Sequence, residues 1–259
     1  MLFRSRIVVA VKQVGALGDE VEFTDDERDV APEYLEFALN EWDSYATEEA
    51  LRIRERLGEG EVVVVTAGDE EAEQALRRCL AMGADRATRV WSDALAGADP
   101  ITVARALAAP VRVEEPDLVL AGVQSSDSIQ SATGTALAEL LELPRVAVVT
   151  KVDYDHAARR ATVHRELEGG LVDVVEVATP ALLTIQTGIN EPRYATLRAI
   201  KQAEQKEIQV VDPDDLGEPP DRVRRMFVPP RGEGAEMLDG SPAEIAQRIA
   251  EIVRESLKA

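Results

Sequence analysis

The run Val62-Val63-Val64-Val65 constrains this chain more than any other feature. Four consecutive β-branched residues favour an extended strand, and with no polar position among them both faces of that strand must be covered. Ile7-Val8-Val9-Ala10-Val11 and Leu118-Val119-Leu120-Ala121 share this continuity, and Ala87-Thr88-Arg89-Val90-Trp91 is a fourth strand candidate. Helical patterns over 44–57, 69–82, 100–113 and 131–141 separate them, the second closed by Gly83 after Met82. Alternation of doubly covered strands with helices predicts βαβ units and an α/β fold with a mostly parallel sheet.

Beyond Pro144 the pattern changes. Runs over 146–150, 161–166 and 172–177, with a turn at Gly169-Gly170, predict an antiparallel or mixed extension of the sheet. Residues 216–240 carry Pro219-Pro220, Pro229-Pro230 and several glycines and should hold no regular structure. Ser241 is placed to cap a last helix, with Pro242 at its first position and an end near Leu257. The expected organisation is therefore an α/β domain over 1–215 and an arm over 216–259 that docks on another subunit.

Composition removes several function classes. A net charge of -20 denies the chain the basic footprint that nucleic acid requires. The single cysteine, Cys79, allows neither a disulfide framework nor a cysteine metal site and is expected to be a buried packing residue. The start is basic, but Ile7–Val11 is too short for a signal core or a membrane span, so a cytoplasmic location is expected. His156 and His164 are expected to face solvent. The acidic pairs Asp25-Asp26, Glu48-Glu49 and Asp214-Asp215 read as solvated faces or turns. No catalytic residue and no metal ligand set stands out, which suits a protein whose chemistry belongs to a cofactor.

Three loops follow predicted parallel strands at their carboxyl ends, where open α/β sheets bind ligands. They are Ala10-Val11-Lys12-Gln13-Val14, Thr66-Ala67-Gly68-Asp69, and the hydroxyl-rich stretch from Gly122 through Gln124, Asp127 and Gln130 to Ser131-Ala132-Thr133-Gly134. A loop that brings backbone amides and hydroxyls to a helix start suits a phosphate, and equally suits plain helix capping. There is no Walker A motif and no G-x-G-x-x-G, which disfavours kinase and dinucleotide-dehydrogenase chemistry.

One more segment is unusual. After a β-rich run ending at Ile185-Gln186, Gly188 and Asn190 supply turn chemistry and Pro192 forbids further strand. Tyr194 and Leu197 then stand three apart, close enough to point the same way. By spacing alone, Tyr194, Leu197, Ile200 and Ala203 also read as the buried stripe of an ordinary helix.

In order along the chain, Ala10-Val11-Lys12, Asn40-Glu41-Trp42-Asp43-Ser44-Tyr45-Ala46-Thr47-Glu48-Glu49-Ala50, Ala81-Met82-Gly83-Ala84-Asp85, Gly122 to Gly134, Arg165-Glu166-Leu167-Glu168-Gly169-Gly170 and Asn190-Glu191-Pro192-Arg193-Tyr194-Ala195-Thr196-Leu197 resemble the β subunit of electron transfer flavoproteins. The branch linked to quinone oxidoreductases and flavin-based bifurcation is the nearer match. The resemblance implies a doubly wound fold of the adenine-nucleotide-hydrolase-like type and a heterodimer with an α subunit that holds most of a redox FAD. It implies that Ala10, Lys12, Asn40, Thr66, Ala67, Gly68, Gly122, Gln124, Asp127, Gln130, Ser131, Ala132, Thr133 and Gly134 surround AMP or a second FAD. It places Trp42 beside the shared flavin, and makes Tyr194, Leu197 and Ile200 the docking element for a dehydrogenase, with a membrane quinone oxidoreductase as acceptor. The competing class is a stand-alone, stress-type adenine-nucleotide-binding α/β protein, which would need neither the Leu197 segment nor the arm.

Overall fold

The computed structural model describes residues 5–18, 20–213, 216, 223–230, 234–235 and 237–257. Asp214-Asp215, Pro219-Pro220 and the first four residues lie outside the described residues. The chain divides into a unit spanning Met1–Met226 and a unit spanning Phe227–Ala259. Leu216 is buried in the first unit's core, and the Met226 amide donates to the Glu27 carbonyl at 2.6 Å.

Among the described residues nine strands form one sheet. In chain order they are β1 (Arg6–Ala10), β4 (Glu61–Ala67), β5 (Arg86–Val90), β6 (Leu118–Gly122), β7 (Arg145–Asp155), β8 (Arg160–Glu166), β9 (Val172–Ala178), β10 (Ala181–Ile185) and β11 (Ile208–Val211). Their spatial order is β11-β5-β4-β1-β6-β10-β7-β8-β9. Every pair from β11 to β7 is parallel, and β7-β8 and β8-β9 are antiparallel, which is the α/β sheet with an extension that the sequence predicts. A small hairpin-like pair not foreseen from the sequence, β2 (Gln13–Leu17) with β3 (Leu35–Leu39), follows β1.

Helices cover both faces. On one side α1 (Glu41–Leu57), α2 (Glu73–Met82) and α5 (Leu197–Glu204) pack on Ile7, Val9, Val62, Val64, Leu118, Leu120 and Leu183. On the other, α3 (Pro100–Val113) and α4 (Thr133–Leu140) pack on Val8, Val63, Val65, Val119 and Leu182. Successive strand residues point to opposite faces, so the continuous Val runs fill two cores at once. Each fully buried Val or Leu contributes about 1.5–3 kcal/mol of burial, which is why this centre, and not helix propensity, holds the fold. Cys79 sits in the first core with its thiol pushed up to about 12 by burial, as befits a packing residue.

The unit after Met226 contains α6 (Pro242–Ser256). Ser241 caps the helix as the sequence predicts, accepting from the Glu244 amide, and the Glu244 carboxylate reciprocates by accepting from the Ser241 amide. Among the described residues no helix is long and apolar enough to cross a membrane.

Two expectations fail here. Glu48 and Glu49 are 2% and 4% exposed and not a solvated face, because the middle of α1 is covered on all sides and basic partners reach in to meet them. His156 and His164 are half-buried, with the His156 Nδ1 at 2.9 Å from the Tyr154 hydroxyl.

Candidate functional site

From β1 the chain moves outward through β4 and β5, then returns across the sheet to β6 on the other side of β1. That reversal separates the loops after β1 and β6 and leaves a crevice at their carboxyl ends. A cavity of about 210 Å³ occupies it. Of the residues expected around a nucleotide, it brings together Ala10, Lys12, Asn40, Ala67, Gly122, Gln124, Gln130, Ser131, Ala132, Thr133 and Gly134. Three others lie off the wall, as does Trp42, which was expected beside the shared flavin. Thr66 is buried beneath it and donates to the Val11 carbonyl at 2.7 Å, fixing the first loop. Gly68 packs against Ala72, Asp127 sits at the lip, and Trp42 donates its indole N–H to Gln186 at 2.9 Å.

The walls include an apolar part that sequence reasoning missed, made by Ala98, Val103 and Leu107 of the α3 region and Leu137 of α4. These side chains read as ordinary core from their helical spacing.

The polar wall is the loop from Val123 to Ala132. α4 starts at Thr133, two residues later than expected, and Ala132 at its cap position offers no side-chain acceptor. Capping was one of the two uses open for this loop, and the first-turn amides of α4 are left without it. Such amides carry the positive end of the helix dipole. Gly134 lets α4 approach β10 closely, since a Cβ there would lie 2.8 Å from Thr184. Ile129 and Ser131 hold positive φ (52° and 51°), a conformation that costs non-glycine residues and concentrates at ligand-holding loops.

Lys12 spans the mouth. Its ammonium lies 2.7 Å from Asp127 and donates to Ser125 at 3.3 Å. Burial raises the Asp127 carboxyl, but the Lys12 ammonium and the Ser125 hydroxyl outweigh it and hold the group below its usual range. Asp127 does not cap α4.

Below the mouth lies Asp43, a residue the sequence did not single out. Its carboxylate accepts from the Lys12 amide at 2.7 Å and the Gly122 amide at 2.9 Å, joining the ends of β1 and β6 to the first turn of α1. Gly122 is required here, because a Cβ would meet Asp43 Oδ1 at 2.5 Å and the Trp42 Cβ at 2.6 Å. Burial pushes the Asp43 carboxyl up to about 7, against the pull of both amides, the Asn40 side chain and the Lys12 charge. Asn40 bonds across to the third loop, donating to the Gln124 carbonyl at 2.8 Å and accepting from the Ser126 amide at 3.3 Å.

The second region of interest is residues 186–197. Tyr194 and Leu197 are 88% and 81% exposed, so the buried-stripe reading does not hold for them. Ile200 turns inward against the first core, and Ala203 is buried. Thr196 caps α5 by accepting from the Ala199 amide. The segment is bound to α1 by side chains: Asn190 donates to the Tyr45 carbonyl and to Glu49, Arg52 donates to the Glu191 carbonyl, and Arg193 grips Glu48 and Glu55. Burial raises the Glu48 carboxyl, but the hydrogen bonds from Arg193 and Arg52 bring it below its ordinary value.

A family model described as the electron transfer flavoprotein domain matches residues 29–216. The electron transfer flavoprotein subunit beta of Methylophilus methylotrophus is 45% identical over 260 residues, covering 96% of this chain and 98% of its own. Its counterpart in Bacillus subtilis is 35% identical over 230 residues, 86% and 88% of the two chains. Subunit CarD of the caffeyl-CoA reductase-Etf complex of Acetobacterium woodii is 34% identical over 261 residues, 96% and 98%.

Proposed function

Because this chain belongs to the electron transfer flavoprotein family, among its β subunits, we propose that it works as half of a heterodimer that carries electrons from a dehydrogenase to a quinone-reductase-type acceptor. In this reading an α subunit holds most of a redox FAD, and this chain closes one side of that site with Trp42 and buries a second adenine nucleotide in the crevice between β1 and β6. The flavin, when bound, supplies the electron-transfer chemistry; the side chains of this chain position, desolvate and dock.

The observation that carries the nucleotide assignment is the start of α4, whose first-turn amides lack a side-chain cap and open on a cavity lined by Ser131, Thr133 and the small residues Ala10, Ala67 and Gly122. That donor set fits a phosphate. Val103, Leu107 and Leu137 offer the apolar surface a base would use. Lys12 would offset phosphate charge once released from Asp127. The exposed Leu171, just before the outermost strand β9, and Val172 and Val174 within it support a partner covering that edge, and exposed Leu197 supports a docking anchor that a stand-alone nucleotide-binding protein would not need.

AMP and a second FAD are the two readings for that nucleotide, and the likeness to CarD, a subunit of a reductase-Etf complex, is the observation on the side of a second FAD and bifurcation. The test is to co-express the chain with its α subunit, denature the purified complex and quantify the released nucleotides. One FAD with one AMP supports the single-flavin carrier, two FAD support bifurcation, and no nucleotide beyond the shared FAD removes the crevice assignment.

A further inference from the structure

We infer that Arg193 is a positioning residue that locks the Tyr194/Leu197 segment into its docking shape by clamping it to the buried Glu48 of α1. This rests on the reading of Leu197 as the anchor that meets a dehydrogenase. Arg193 presents its backbone amide (3.2 Å), Nε (2.8 Å) and Nη2 (3.1 Å) to Glu48 and closes on Glu55 with Nη1 (2.6 Å) and Nη2 (3.1 Å). Glu48 is 2% exposed, and a carboxylate so withdrawn from water persists as an anion only with partners of this quality. Arg52 supplies one more, at 2.7 Å.

The placement matters because of what stands next to it. Tyr194 follows Arg193 directly, Leu197 opens α5 three residues later, and both are almost fully in solvent. The connection from Gln186 to Thr196 is irregular; Trp42 ties its start to α1 through Gln186, and beyond that the bonds to α1 run through Asn190, Arg52 and Arg193. An exposed apolar pair on a loose connection would lose conformational freedom on docking and weaken binding accordingly. Clamped from below, it is presented ready-made. Because the acceptor is buried, the clamp resists salt in a way that a rim ion pair does not.

The test uses the heterodimer and a flavin-linked dehydrogenase that reduces the wild type. Arg193→Lys keeps the charge but loses the fork. Expected are exchange of the amides of residues 193–199 about tenfold faster than in the wild type, and a KM for the dehydrogenase raised about tenfold with kcat and nucleotide content retained. Unchanged exchange and KM overturn the inference. So does faster exchange spread through β1, β4 and β6 with loss of nucleotide, which would make Arg193 a general structural residue. Leu197→Ala reads the docking assignment separately: native exchange with a raised KM supports it, and native exchange with an unchanged KM overturns it together with the positioning role.

Discussion

Asp43 and Glu48 are buried carboxylates on one helix, less than two turns apart, and they are held in opposite ways. Asp43 meets backbone amides at the crevice, and burial dominates, so its pKa rises to about 7. Glu48 meets guanidinium groups beneath the Tyr194/Leu197 segment, and its pKa falls below the ordinary value. Both are closed off from solvent, but Asp43 lies deeper among protein atoms, and the partners differ. A neutral amide gives a carboxylate geometry without countercharge, whereas arginine gives both. The first arrangement suits a junction that must hold loops in place, the second a fixed mount for something else.

The comparison can be broken by mutation. Asp43→Ala leaves the Lys12 and Gly122 amides buried without acceptors, and a loss of about 3 kcal/mol is expected, with reduced nucleotide occupancy. Thermal unfolding of the heterodimer and nucleotide release measure both. Glu48→Gln retains the shape but not the charge that faces Arg193 and Arg52, with an expected loss of about 2 kcal/mol concentrated in residues 190–196 and visible as local amide exchange. If Glu48→Gln loosens the crevice loops instead, the two regions are one.

Acidity separates them more finely. The folded pKa of Asp43 is raised, so its contribution to stability is fully present below the ordinary value of 3.8 and is lost as pH rises through about 7. The folded pKa of Glu48 is lowered, so its contribution is present above 4.5 and is lost as pH falls through its depressed value. Asp43→Asn should therefore abolish a slope of at most about 1.4 kcal/mol per pH unit between pH 4 and 7, read from unfolding midpoints across pH, and leave the acid limb untouched. The smallest effect concerns Cys79, whose Sγ lies 3.5 Å from Thr47 Oγ1, between the two regions on α1. Its thiol should resist a maleimide in the folded heterodimer, and mass spectrometry showing prompt native labelling would mean that this part of α1 opens.

Much of the fold was legible because burial on both faces writes itself as uninterrupted apolar sequence: Val62–Val65, Ile7–Val11 and Leu118–Ala121 all fall in the parallel centre. The crevice was legible from loop position, and most residues anticipated there do line it. Asp43 and Glu48 were not legible, since a buried carboxylate looks in sequence like any acidic residue on a solvated helix face. For Glu48 and its neighbour Glu49 the signal was at a distance, in Arg193 and Asn190, a basic and an amide group placed in a turn of a strongly acidic chain. Val103, Leu107 and Leu137 escaped for the opposite reason, because a cavity wall and a core have the same composition.

The alternation of the central strands turns residue parity into an address. In β1, Ile7 and Val9 lie under α1, whereas Val8 lies under α3 and α4; in β4 the even-numbered Val62 and Val64 share the first side and the odd-numbered Val63 and Val65 the second. The sheet is thus a partition one residue thick between the core beneath the Tyr194/Leu197 segment and the core that backs the crevice. Neighbouring positions in the same strand answer to different tenants, and trimming a methyl at Val64 or at Val65 should disturb one room while leaving the other furnished as before.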